Sequence, residues 1–438
     1  MMARMAEQVQ AGSSAGRLTA LVSAYARRVS PAVLEQHRAA SVSSPLGVWL
    51  LLAACVSAAH GSGRAELEEA LGCSAEEASR LLAALMGTPP PALRVALATW
   101  VRIVDAGAEV TDWVAGLPGN VSSGFMPTQA EADAWAERET LGLIRELPLK
   151  IDHLTRIVLA SALATTVSWQ VPFGVVPAAT HLGAASPWRS AVSRLLWDGR
   201  AEGRAMIART DAAGLVAVHC AVAREDLTVV SVSGAPGMER SAVLAAAYDV
   251  AAEVGGDWGR RACSLYDLPL GAGHSWEISE REVPVFVREP RLERISGVAL
   301  PAWRARHELD LTLSPAFATA PALAALRALI GPRPDDTCDA TQTAVASFTR
   351  YGFEAAAVTA LGIRTSAVRV PAERSVERSA VLRFDHPFAA VAIAGRASPP
   401  PSSGTDVTPR PDASFPGLPL FSAWVHEPIE AEEGPPAP

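Results

Sequence analysis

Apolar residues recur at helical spacing through the first quarter of the chain. Over residues 18–38 the positions Leu21, Val22, Ala24, Tyr25, Val29 and Val33 fall along one face, which predicts a helix. Ser43-Ser44-Pro45 opens a second helix, with proline in the first turn, where a missing N–H costs nothing. Its buried side is Leu50, Leu51, Ala54, Cys55 and Ala58. A turn at His60-Gly61-Ser62-Gly63 precedes a third helix over 64–71, and Ser74 with Glu77 has the spacing of a capping box for a fourth. The period then changes. Residues 93–101 alternate as a strand does, 133–143 return to helical spacing, and 156–164 are nearly all apolar. A strand buried on both faces has that last composition.

The second half is mostly strand-like. Residues 215–220 and 227–233 are two short strands joined by the charged turn Arg224-Glu225-Asp226, followed by a helix over 237–254. Strands are predicted at 283–287, 295–300 and 344–349. Residues 352–360 are small and nearly uncharged, and Gly352 opens them. Residues 364–378 are polar, carry several arginines and are broken by Pro371; 380–384 alternate again. Segments 391–394 and 418–425 form a closing hairpin around a Pro- and Ser-rich loop, 397–417. Strand, exposed tether and strand thus follow one another from 348 to 388 without a helix signal.

Composition narrows the function classes. The 438 residues carry a net charge of −8, with 49% hydrophobic and 19% charged positions, enough for a large core and too apolar for disorder. No long basic run occurs, which argues against binding driven by phosphate contacts and hence against nucleic acid. No stretch reaches the roughly 18 apolar residues of a membrane span. Five widely spaced cysteines, none in a CxxC pair, suggest neither a disulfide framework nor a zinc site and read as buried free thiols. Gly61-Ser62-Gly63 lacks the spacing of a nucleophile elbow, the nine histidines form no HExxH, and Asp335, Asp336 and Asp339 sit in a turn-rich surface loop. His60 and His386 are assigned structural places. No catalytic residue, metal or cofactor is expected.

Several of these stretches, in this order, resemble the serpin family. Gly352, Glu354, Ala355, Ala356, Ala357 and Thr359 match the hinge of its reactive-centre loop, and Phe353 departs from the small hydroxyl residue found there. Phe384-Asp385-His386-Pro387-Phe388 resembles the C-terminal signature, and Ser44-Pro45 with the following apolar helix the N-terminal one. Trp135, Thr140, Gly142 and Ile144 fit a further pattern, as does Trp169 with Pro172-Phe173 after the apolar strand. Ala40, Gly47, Ser161 and Gln342 stand where the family commonly has Asn, Ser, Asn and His. The likeness is to serpins of a bacterial, actinobacterial type.

The resemblance implies an α+β fold of three β-sheets with about eight or nine helices and an exposed reactive-centre loop. It implies one domain over 16–428, with a flexible stretch at 1–15, the loop at about 352–383, the insertion at 397–417 and a disordered tail at 429–438. The implied activity is that of a suicide substrate. A serine or cysteine protease attacks the loop, and the cleaved loop inserts into the main sheet. A non-inhibitory binding or structural protein of the same fold is the alternative. The family register puts the cleaved bond at Ser366-Ala367, beside Arg364 and Thr365; Arg369, Arg374 and Arg378 are further targets for a trypsin-like enzyme. Trp169 packs where the loop first enters, and Ser44 and Pro45 belong to the region that must open. The implied state is a monomer whose partner is the protease. With no apolar export signal near Met1 the location would be cytoplasmic, while the family is often extracellular.

Overall fold

The computed structural model describes residues 2–37, 39–254, 258–285, 291–353, 373–395 and 415–432. Eight α-helices lie among them: α1 (Met2–Gln36), α2 (Pro45–Cys55), α3 (Gly61–Leu71), α4 (Ala75–Gly87), α5 (Ala108–Ala115), α6 (Gln129–Glu139), α7 (Arg240–Glu253) and α8 (Thr319–Leu329). The first ten strands are β1 (Ser41–Ser43), β2 (Arg94–Val101), β3 (Ser122–Phe125), β4 (Ile157–Ala164), β5 (Val167–Ser168), β6 (Gly174–Pro177), β7 (Arg194–Asp198), β8 (Ala205–Thr210), β9 (Gly214–Val222) and β10 (Leu227–Ser233). The rest are β11 (Gly271–Ala272), β12 (Trp276–Val285), β13 (Leu292–Leu300), β14 (Trp303–Asp310), β15 (Thr341–Phe348), β16 (Gly352–Phe353), β17 (Glu373–Arg383), β18 (Phe388–Ala394) and β19 (Pro419–Val425).

Two sheets have six strands each, in the orders β1-β19-β18-β10-β9-β8 and β11-β12-β17-β13-β7-β6. The third sheet is divided. One part is β14-β15-β16-β5 and the other β3-β2-β4. The two parts share one line of chain, because β5 continues β4 after a break at Thr165 and Thr166. Three sheets are therefore seen as four hydrogen-bonded groups, and the division falls between β4 and β15.

Helix α2 is the centre of the core. Its sequence is apolar all round, and ten of its eleven residues are buried, as befits a helix with no solvent face. It packs on α1, α4, β4 and β19. Helix α7 covers β18 and β10, and α6 covers the outer face of β2 and β4, where Trp135 meets Trp100 edge to face at 5.3 Å.

Two local expectations change. Ser74 caps α4 by accepting from Glu77 N, but the Glu77 carboxylate turns to the Arg17 guanidinium at 2.9 Å, so the reciprocal half of the box does not form. The full box is at α6, between Thr128 and Glu131. Secondly, the tether is shorter on its C-terminal side than 352–383, since Glu373 already pairs within β17.

Candidate functional site: a seeded cleft in the divided sheet

Strand β15 ends at Phe348, and the chain reverses at once. Thr349 N donates to Gly352 O at 3.0 Å, and Phe353 pairs back on Phe348. The turn is held from its other side by the segment after β4. Trp169 donates its backbone N–H to Tyr351 O and its indole N–H to Thr349 O, both at 2.9 Å. Phe173 N donates to Arg350 O, and Arg350 Nε returns a bond to Phe173 O, both at 3.0 Å. Strand β16 thereby lies between two neighbours, Gly352 opposite Ser168 and Phe353 opposite Val167 as well as Phe348. Trp169 is buried beside this turn, with its ring 4.8 Å from Phe348.

Phe353 is 3% exposed. Its ring meets Trp303 edge on at 6.2 Å and shares a small chamber with Val42, Ala346, Ala390 and Ala392. Those alanines leave the room that a phenylalanine needs. Gly352 and Phe353 thus pair within the sheet on both sides, with the bulky side chain buried.

Below the seed, β4 and β15 are not hydrogen-bonded to each other. Ser161, Leu163, Thr343 and Val345 line a cleft between them, about 800 Å³ including space open to solvent, with Trp135 and Thr140 over it. Each flanking strand is fastened to the start of α2 instead. Gln342 accepts from Ser44 N at 2.9 Å and donates to Ser44 O at 2.8 Å, and Ser161 Oγ donates to Gly47 O at 3.2 Å. A Cβ at Gly47 would sit 3.2–3.4 Å from Leu163, Gln342 and Ser161, so glycine allows that approach. Ser44 Oγ caps α2 through Gly47 N and donates to Leu420 O at 2.7 Å, fixing the helix to β19; Pro45 follows at the first helical position. Ser44, Ser161 and Gln342 thus form a polar cluster that joins both strands to the start of α2.

The segments leading into β4 and β15 are joined by an ion cluster that the sequence did not reveal. Arg156, nearly buried, bonds Asp105 at 2.6 Å, Asp336 at 3.0 Å and the Ile330 and Gly331 carbonyls. Asp336 is held below the usual carboxylate range, first by the Arg333 backbone N–H and then by Arg156 and Arg327. The aspartate loop is therefore a structural anchor between β4 and the approach to β15.

The returning end of the tether is gripped on both sides. Strand β17 pairs antiparallel with β12 over ten positions and parallel with β13. Arg281–Glu377, Arg374–Glu282, Arg378–Glu280 and Arg383–Glu277 ion pairs cross it. Arg374 and Arg378 were expected in an exposed loop as cleavage targets. They are paired strand residues instead, because β12 covers the edge that would otherwise be free. Beyond β17, His386 Nδ1 lies 2.8 Å from Asp385 and Nε2 lies 2.8 Å from Gly234 O and 3.3 Å from Ser233. This Asp-His-Ser line is buried, with Ser233 at 0% exposure, so no substrate reaches the hydroxyl. His386 is structural, as expected. His60 stands at the N-cap of α3 without a side-chain cap bond.

Glu354, Ala355, Ala356, Ala357 and Thr359, and Arg364, Thr365, Ser366, Ala367 and Arg369, lie outside the described residues. Among the described residues no cluster of three His, Cys, Asp or Glu is placed to hold a metal ion, and no helix is long and apolar enough to cross a membrane.

Neither a protein-family model nor a curated protein sequence matches the chain. Solved structures do. A native thermophilic serpin, tengpin, aligns over 93% of each chain with a TM-score of 0.60 and 13% identity. Human thyroxine-binding globulin in complex with its ligand aligns over 95% of this chain and 100% of its own, with a TM-score of 0.61 and 14% identity. A highly specific serpin from the insect Tenebrio molitor covers 93% of this chain and 97% of its own, with a TM-score of 0.55 and 16% identity.

Proposed function

This chain has the serpin fold, and from that premise we propose that it is a protease inhibitor acting as a suicide substrate. The observation that carries the reading is the two-residue strand β16, seated at the head of a cleft that runs on between β4 and β15. A strand entering there gains backbone hydrogen bonds on both edges, each with a net value of about 1 kcal/mol.

The seed also sets the register. Side chains alternate along a strand, so Ala355, Ala357, Thr359 and Leu361 would follow Phe353 toward the body, and Glu354, Ala356 and Val358 would face outward. Counting on from Phe353 brings Ala355 opposite Thr165 and Ala346, Ala357 opposite Leu163 and Ala344, and Thr359 opposite Ser161 and Gln342. The body-facing positions are small where packing is dense, and the threonine would meet the polar side chains of Ser161 and Gln342. Small side chains enter without the overpacking strain that large ones would cause.

The chemistry belongs to the protease. Its serine or cysteine attacks the carbonyl of the loop bond, with Ser366-Ala367 the central candidate and Arg364 and Thr365 beside it. An acyl bond forms to the N-terminal side, and the peptide C–N bond breaks. The new amine stays with the fragment held in β17. The other end, carrying the protease, is free to descend the cleft. Insertion displaces and deforms the protease before water completes hydrolysis.

The test is incubation with serine and cysteine proteases that cut at arginine or at small residues. A complex that survives denaturing electrophoresis, together with a higher melting temperature after loop cleavage, supports inhibition. Clean cleavage by every protease, with no gain in melting temperature, would leave a binding protein of this fold.

A further inference from the structure

Arg156 is the last residue before β4. Its carbonyl accepts from Arg102 N at 2.8 Å, one step beyond the Val101–Ile157 pair. Asp105 follows in the turn after β2, where its N–H donates to Arg102 O. Both residues therefore travel with the β3-β2-β4 part of the divided sheet. Ile330 and Gly331 follow α8, and Asp336 lies between α8 and β15, so these travel with the β14-β15-β16-β5 part.

The Arg156 guanidinium reaches both parts at once. On its own side, Nε and Nη2 donate to Asp105 Oδ1 at 3.2 and 2.6 Å. Across the division, Nη2 donates to Ile330 O at 2.6 Å, and Nη1 donates to Gly331 O and to Asp336 Oδ2, both at 3.0 Å. Arg333 crosses the other way, from the β15 side to Asp105 Oδ1 at 3.0 Å. Asp336 is fixed to its own part by the Arg333 N–H at 2.8 Å and by Arg327 at 3.3 Å. The side chains of Arg156 and Asp105 are 9% and 2% exposed, so water does not replace a lost partner. Ser161 and Gln342, by contrast, tie each strand to α2 and not to the other strand.

We propose that Arg156 is a positioning residue for strand uptake: its guanidinium is an autoinhibitory clasp between the two parts of the sheet and sets how fast a strand enters between β4 and β15. The inference rests on the inhibitor reading and deepens it. At the head of the cleft, β16 already holds β15 and β5 two strand spacings apart, about 10 Å. A strand continued from β16 carries that spacing toward Arg156. Charge-assisted contacts this short have no slack, so a change in spacing strains or breaks them. The clasp needs arginine. A planar fork grips both parts together, whereas an ammonium on a single stem does not.

The test follows uptake of a labelled synthetic peptide, with the sequence of residues 354–366, by the intact chain. Native electrophoresis gives the rate, and a higher melting temperature marks the filled sheet. The native chain takes up the peptide slowly. Asp336→Asn and Arg156→Lys each take it up about tenfold faster, the equivalent of ~1.4 kcal/mol of clasp released. Asp336→Asn keeps an acceptor for the Arg333 N–H, so the fold is retained. Arg378→Ala loosens the other sheet and leaves the rate unchanged. Equal rates in all four chains overturn the clasp and leave the inhibitor reading standing. An acceleration by Arg378→Ala equal to that by Asp336→Asn also overturns it, because general loosening then suffices. If no chain takes up the peptide, the inhibitor reading falls and the clasp with it.

Discussion

Phe353 shows how a residue that breaks a family pattern can be accommodated without breaking the fold. Its ring occupies a chamber cleared by Ala346, Ala390 and Ala392. Phe353→Ala should lower stability by about 3 kcal/mol, as for other buried phenylalanines, and should loosen the turn at 349–352. Urea unfolding with hydrogen exchange at Gly352 checks both; unchanged stability would show that the ring is not seated. The cysteines are separated by environment. Burial pushes the Cys55 thiol up to about 12 and the Cys73 thiol up to about 11, while Cys338 is exposed. A thiol reagent near pH 8 should label Cys338 first, and Cys55, Cys73 and Cys220 only on unfolding. Mass spectrometry of the labelled native protein reads this directly. Sequence spacing pointed to buried free thiols; Cys338 is exposed and Cys263 half-buried instead, because spacing does not record access.

At the scale of elements, β12 and β17 form the pairing least foreseen. Alternation showed a strand over 283–287, yet β12 begins at Trp276, where charged residues mask the pattern. Glu277, Glu280 and Glu282 are tolerated because Arg383, Arg378 and Arg374 stand across from them. These pairs differ in value. The Arg378 side chain is 17% exposed, bonds the Leu265 and Leu268 carbonyls and lies over Tyr266, whereas Arg374 is 76% exposed. Arg378→Ala should cost about 1–2 kcal/mol and Arg374→Ala less than about 0.5 kcal/mol, by thermal denaturation. Equal effects would mean that β17 is not gripped as described. Elsewhere the elements were legible. Helix α2, β4, β10 and the β18–β19 hairpin follow from runs of apolar residues whose length and period leave one reading.

On the scale of the molecule, acid should destabilise the fold through several groups acting together. For Asp198, burial alone would raise the pKa. The His219 hydrogen bond, Arg204 and the Arg200 N–H outweigh it and hold the carboxyl below its ordinary value. Its contribution is complete above the unfolded value of about 3.9 and is lost as pH falls through the lower folded value. His274 and His307 are depressed mainly by burial. They favour folding fully above about pH 6.5 and oppose it as pH falls through their folded values. All three therefore act in one direction. The melting temperature should decline below about pH 6.5 and fall steeply below about pH 4, while a flat profile from pH 7 to 4 would contradict the assignments.

The sequence by itself determined the α+β class, most element positions and the likeness of the hinge, because these depend on local period, capping and short ordered motifs. Tertiary structure alone decided that β4 and β15 stand apart, that Phe353 pairs between β15 and β5, that Gln342 ties β15 to the start of α2, and that Arg156 ties the segments leading into β4 and β15. Those features join residues as much as 298 positions apart. A one-dimensional pattern records which face a residue prefers. It does not record which distant chain will meet that face, and the cleft is made by two strands that do not meet.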